Sequence, residues 1–245
     1  MIHNSLPALL LLSILANTGL AQENWGKDII STSEGDLEIT FLGHGTLMFT
    51  FDDKVIHVDP FSRVADYNDL PKADVILVTH HHFDHFDSKL IDILRKKSTT
   101  VVLTQGCAQR LKGDMVMANG EFTTVQDIPV EAHPAYNLVH KREDGSPFHP
   151  KGEGNSYVVT FGDVRVYIGG DTENIPEMKD LQSIDIAFLP MNLPYTMTPE
   201  MVADASRMIR LGILYPYHTG DTDVAQLQEL LKDEKGIEIR IREMK

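Results

Sequence analysis

The segment Thr79-His80-His81-His82-Phe83-Asp84-His85 gathers four imidazoles and a carboxylate within six residues, directly after the apolar run 75–78. Neutral imidazole and ionised carboxylate together suit zinc, manganese or iron. On this spacing His80 and His82 can converge on one ion, while Asp84 and His85 address a second ion beside it. His81 points away from its ligand neighbours. A merely solvated histidine-rich turn has no use for an aspartate inside the pattern, nor for the partners found further along the chain.

A paired-ion site needs a shared carboxylate and further histidines. Asp171 follows Gly169-Gly170 at the end of an apolar run, where glycine permits close backbone approach, and is the candidate bridge. His218 follows Tyr215-Pro216-Tyr217 in the same kind of position. For the remaining ligand His149 is preferred: it lies 22 residues before Asp171, with room for two strands between. The alternative ligand His133 lies 38 residues before Asp171, and His140 is a third candidate. His57 alternates inside a strand-like run and reads as a structural histidine. The single cysteine, Cys107, forbids an intramolecular disulfide and any zinc site built from several cysteines. No Gly-x-Ser-x-Gly is present, so the expected nucleophile is water activated by metal.

These residues must be held by something. Strand-like runs recur at 37–42, 47–51, 54–58, 74–79, 100–104, 156–161, 164–168, 185–189 and 237–241. Three helices interleave. One is capped by Asp87, with Leu90, Ile91 and Leu94 on a single face. A second opens at Thr198-Pro199-Glu200 and stops at Gly212; a third opens at Asp223 and ends before Gly236. Sheets flanked by helices follow from this alternation, an α/β fold. The charged stretch 140–155, with three glycines and two prolines, is too long for a routine connection and is expected to serve function. No internal repeat is visible.

The chain has 245 residues, 42% hydrophobic and 24% charged, the composition of a soluble globular protein. With 36 acidic against 22 basic residues, its net charge of -14 argues against broad nucleic-acid or anionic-membrane surfaces. Residues 6–16 are almost wholly apolar, and small residues precede a cut after Ala21, so 1–21 reads as a signal peptide and 22–245 as one mature domain. Export to the periplasm or medium is expected, with no stable membrane anchor after cleavage.

The order His80-x-His82-x-Asp84-His85, a later histidine, Gly-Asp171-Thr and then His218 resembles the metallo-β-lactamase superfamily over nearly all of 22–245. Asp59, in His57-Val58-Asp59-Pro60, matches the acidic residue that supports the metal-binding loop there. Leu42-Gly43-His44-Gly45, Pro134-Ala135-Tyr136-Asn137, the stretch from His149 to Asn155 and the stretch from Asn192 to Met197 are most similar to the UlaG-like metal-dependent hydrolase branch. The resemblance implies a four-layer αββα sandwich. It implies His80, His82 and His149 on one metal, Asp84, His85 and His218 on the other, and Asp171 bridging. Two divalent ions are expected, zinc foremost, with manganese or iron as alternatives. The expected reaction is cleavage of a small ester, lactone or phosphoester by a metal-bridged hydroxide, with Asp84 orienting the nucleophile and shuttling a proton. His44, Asn192 and Tyr195 are candidates to contact a small-molecule substrate, and Lys151 to meet an anionic group or merely to be solvated. The competing expectations are a metal-binding or sensory protein without turnover and an exported β-lactamase.

Overall fold

A computed structural model describes residues 25–244; the expected leader, 1–21, lies outside the described residues. The apolar runs pair into two seven-stranded sheets. The first holds, in spatial order, β1 (Gly26–Thr32), β2 (Gly35–Gly43), β3 (Thr46–Phe51), β4 (Lys54–Val58), β5 (Ala73–Leu77), β6 (Arg95–Leu103) and β7 (Met115–Val116). The second holds β8 (Phe122–Val125), β9 (Ile128–Ala135), β10 (Gly154–Phe161), β11 (Val164–Ile168), β12 (Ile186–Pro190), β13 (Ile213–Tyr217) and β14 (Glu238–Ile239).

Both sheets follow one plan. In the first, β1 to β4 pair antiparallel and β4 to β7 parallel. In the second, β8 to β11 pair antiparallel and β11 to β14 parallel. This topological duplication has no counterpart visible in the sequence. It has a functional consequence, because Asp59, His80–His85, Asp171, Asn192 and His218 all follow the carboxyl ends of parallel strands. Such ends are where α/β sheets bind ligands.

The inner faces of the sheets pack on each other through Phe49, Phe161, Phe188, Tyr215 and their neighbours. Phe49 and Phe161 have ring centroids 5.4 Å apart, and each large side chain buried this way contributes about 1.5–3 kcal/mol. On the outer face of the first sheet lie α1 (Ser88–Leu94) and α2 (Gln105–Ala108), burying Leu90, Ile91, Leu94 and Cys107. On the outer face of the second lie α3 (Pro199–Ile209) and α4 (Gln226–Leu230). The result is the expected αββα sandwich.

Asp87 caps α1, accepting from Leu90 N at 3.1 Å, and Thr198 caps α3, accepting from Met201 N at 3.2 Å. Elsewhere the boundaries shift. α3 ends at Arg210, whose left-handed φ of 59° closes the last turn before Gly212 is reached. Asp223 holds a turn through Ala225 N at 3.0 Å, and the third helix shrinks to α4. The run expected at 237–241 pairs only over β14.

Candidate metal centre

Eight side chains converge at one edge of the sandwich in two groups: His80, His82, His149 and Asp171, and His44, Asp84, His85 and His218. The loop after β5 supplies four of them, turning back on itself through Phe86 N donating to His82 O at 2.9 Å. Gly170, at φ 59°, lets the chain after β11 pass so close to β5 that an added Cβ would meet Thr79 Cβ at 3.0 Å. Gly45 approaches as tightly: a Cβ there would lie 2.7 Å from His85 Cε1. These two positions require glycine.

The Asp171 carboxylate lies between the groups. Its Oδ2 is 3.1 Å from His149 Nε2 and 3.8 Å from His80 Nε2, and its Oδ1 is 3.4 Å from His85 Nε2 and 3.5 Å from His218 Nε2. Asp84 Oδ2 is 3.0 Å from His44 Nε2, 3.8 Å from His218 Nε2 and 3.9 Å from His85 Nε2. His149 thus stands within the first group. His133 does not: it points to Glu131 Oε2 at 3.3 Å on the flank of β9. β10 and β11 fill the interval between His149 and Asp171, as the spacing suggested.

Acceptors behind His80, His85 and His149 fix which nitrogen of each faces inward. Asp59, fully buried, accepts from Thr79 N at 2.7 Å and Thr79 Oγ1 at 2.5 Å, and its Oδ2 lies 2.8 Å from His85 Nδ1. Asn137 Oδ1 accepts from His149 N at 2.8 Å and from His149 Nδ1 at 2.7 Å. Thr79 Oγ1 lies 3.0 Å from His80 Nδ1, and the Asn192 amide lies 3.2 Å from His218 Nδ1. With Nδ1 protonated toward these partners, His85 and His149 present bare Nε2 lone pairs to the centre. His44, Asp59 and His218 adopt φ of 52°, 44° and 46°. Non-glycine residues pay for that conformation with about 1 kcal/mol or more each, which the surrounding contacts must hold.

Whether these residues suit cations can be judged from what they leave unpaired. Asp171 Oδ1 is buried and accepts no hydrogen bond, an expensive state for a carboxylate oxygen. Ring nitrogens face one another at 3.1 Å (His80 Nε2 and His82 Nδ1), 3.1 Å (His149 Nε2 and His82 Nδ1) and 3.0 Å (His218 Nε2 and His85 Nε2). Two nitrogens bound tetrahedrally to one zinc ion lie about 3.3 Å apart. The donor set fits one divalent cation in each group.

The protonation pattern has the same cause. Burial pulls His80 well below the ordinary histidine value, His82 to about 4 and His218 to about 3. Burial also disfavours charge on His85, but Asp171 and Asp59 on either side overcome it and raise this histidine to about 9. Burial would push Asp171 up, yet the charges of His218, His85 and His149 hold it well below the carboxylate range. Asp84, against its own burial, is brought down to about 2 by the His44 hydrogen bond and His85. Three carboxylates concentrated on His85 thus trap a proton where a cation would serve.

Other sequence candidates fall elsewhere. His57 is buried, donates from Nε2 to Pro71 O at 3.0 Å and is pulled down to about 4 by that burial. His140 packs on Glu173, and the His81 backbone carbonyl accepts from Arg110. Cys107 is buried, its thiol pushed up to about 11, and so is a poor nucleophile. Lys151 pairs with Glu177 Oε1 at 2.6 Å, which occupies the charge proposed for substrate. Sequence reasoning missed Glu173. Fully buried, it accepts from Leu138 N, Val139 N, His140 N and Asn137 Nδ2 at 2.7–3.1 Å and so holds the loop that positions His149. Its one signal was a carboxylate two residues after Asp171. A cavity of about 430 Å³ opens over both groups, and Asn192 and Tyr195 line it.

Residues 38–218 match the β-lactamase superfamily domain, and the chain belongs to that superfamily. Within it the chain belongs with the UPF0173 metal-dependent hydrolases: it is 31% identical over 233 residues to the member from Rubrobacter xylanophilus, covering 86% of this chain and 95% of that one. The crystal structure of a Parabacteroides distasonis protein proposed to be a metal-dependent hydrolase is 47% identical, with a TM-score of 0.86, covering 91% of this chain and all of that chain. Igni18, a metallo hydrolase of Ignicoccus hospitalis, is 22% identical with a TM-score of 0.69, covering 84% of this chain and 95% of that one, and shares the fold.

Proposed function

We propose that this chain is an exported hydrolase that cleaves a small ester, lactone or phosphoester at a centre of two divalent cations, zinc foremost. The observation that carries this reading is the buried Asp171 carboxylate, shared between two sets of inward-facing imidazoles and lacking any hydrogen bond on Oδ1. His80, His82 and His149 would hold one cation, Asp84, His85 and His218 the other, and Asp171 both. When bound, such cations acidify water and polarise the attacked carbonyl or phosphoryl oxygen.

The chain's own residues do the rest. Asp84 is ionised at neutral pH and half-open to the cavity, so it can orient an attacking water and accept its proton. His44, 3.0 Å from Asp84, can pass that proton toward the leaving group. Asn192 and Tyr195 line the cavity where substrate enters. Asp59 and Asn137 keep the histidine rings aimed.

Esters, lactones and phosphodiesters should be screened with and without added metal. Turnover that depends on metal and falls at least about a hundredfold in Asp84→Asn, with folding retained, supports the hydrolase. A protein that only loses thermal stability on chelation, and turns over none of these, is a metal-binding or sensory protein instead.

A further inference from the structure

The stretch 140–155 rises beside the cavity as a small hairpin, bridged between Lys141 and Pro147. Besides the histidine and carboxylate ends, it and its neighbours line the cavity with Phe83, Arg142, Phe148 and Tyr195. Arg142 is held on an aromatic platform: its guanidinium carbon lies 5.0 Å from the Phe148 ring centroid. Its Nη2 donates to Phe148 O at 3.3 Å. Phe148 in turn meets Tyr195 edge-on, with centroids 5.0 Å apart and planes at 79°.

Among the described residues Arg142 makes no ion pair within 4.0 Å, although its charge reaches Asp144 two residues on. Arg165, Arg207, Arg240 and Arg242 each pair with a carboxylate at 2.6–2.7 Å; Arg63, Arg110 and Arg210 likewise make no such pair, but of these three and Arg142 only Arg142 lines the cavity. No carboxylate oxygen of the described residues comes within 4.0 Å of the Arg142 guanidinium, in a chain with 36 acidic and 22 basic residues. One of its five N–H groups is used, and the planar fork that remains matches an oxyanion. Stacking on Phe148 removes much of the rotamer entropy that a free arginine would lose on binding.

We infer that Arg142 recognises an oxyanion that the substrate carries away from its scissile bond, with Phe148 and Tyr195 against the substrate's carbon skeleton. The inference rests on the hydrolase reading and narrows it to small anionic esters or lactones. A carboxylate and a phosphate present the same fork-matching oxygens. The negative surface keeps polyanions away, whereas a small anion reaches a cavity of this size.

The test uses the metal-loaded full chain and two chromogenic esters of matched length, 4-nitrophenyl butyrate and 4-nitrophenyl hemisuccinate. Wild type should prefer the hemisuccinate, and Arg142→Ala should reduce that preference roughly tenfold to a hundredfold, mainly through KM. Arg142→Lys should restore part of it. Calorimetric binding of glutarate and of propylphosphonate runs in parallel, and whichever weakens more in Arg142→Ala identifies carboxylate or phosphate. A preference ratio unchanged by the substitution, with both anions bound as before, overturns the subsite while leaving hydrolysis standing. Arg142-dependent anion binding without turnover of either ester keeps the subsite and removes the ester reading, leaving lactones and phosphoesters to the wider screen.

Discussion

Asp59→Asn separates the support of the centre from the centre itself. The side chain is fully buried, and its backbone φ of 44° is one that asparagine tolerates, so the fold should survive the change. What changes is the proton on His85. Asparagine offers one acceptor oxygen, which will keep Thr79 N, now 2.7 Å from Asp59 Oδ1. Its NH2 then faces His85 Nδ1, 2.8 Å away, and drives the imidazole proton to Nε2. That nitrogen is the one facing Asp171 and His218, so His85 loses its lone pair toward the second cation. The charge-assisted hydrogen bond lost is worth about 1.5–3 kcal/mol, and a decade of affinity about 1.4 kcal/mol. The second site should therefore weaken roughly tenfold to a hundredfold. Calorimetric zinc titration of chelator-stripped protein resolves this, with the His80, His82 and His149 site changing by less than about threefold. Wild-type affinity at both sites, or equal weakening of both, would refute the argument that Asp59 acts through His85.

Three further outcomes follow. His149→Ala should remove the first cation, whereas His133→Ala should leave metal content intact and activity within about twofold; elemental analysis of both variants decides. In the cation-free protein His85 is raised from the ordinary 6.5 to about 9. Its protonation thus contributes stability that is fully present below about pH 6.5 and lost as pH rises through about 9. Cations displace that proton, so affinity should climb about tenfold per pH unit below about 9 and then level off, and calorimetry in buffers of different ionisation heat should find about one proton released between about pH 7.5 and 8.5; a pH-independent affinity contradicts this. Glu173→Ala strands the donors of the 137–140 loop and should cost about 2–3 kcal/mol in denaturant unfolding of the loaded protein; an unchanged midpoint would mean that water replaces the carboxylate without loss.

Much of the site was legible because its chemistry is local. His80, His82, Asp84 and His85 lie in one loop, and Asp171 is marked by the two glycines that precede it. His149 was preferred over His133 by counting strands, and the strands are there. The support shell was not legible, because it is made across sequence distance. Asn137 meets His149 from 12 residues away, and Glu173 meets Leu138 from 35. The partners of the long loop's cations were hidden for the same reason: Lys151 found Glu177 and Arg142 found only Phe148, which depends on where the loop folds. The apolar runs by themselves foretold only sheets flanked by helices; the αββα sandwich was implied by the family resemblance. Its margins, β1, β7 and β8, were missed because half-exposed edge strands lack a continuous apolar run. β9 was missed as well: it carries Pro129 and Pro134, which argue against a strand, and Pro134 is tolerated beyond the last residue that β8 pairs.

The central claim is that Asp171 joins two cation sites. Elemental analysis of the purified chain, produced without chelator and then reconstituted, should find about two zinc, manganese or iron ions per chain and at most one in Asp171→Asn. One ion or none in the wild-type chain after reconstitution, or two in the variant, would contradict it.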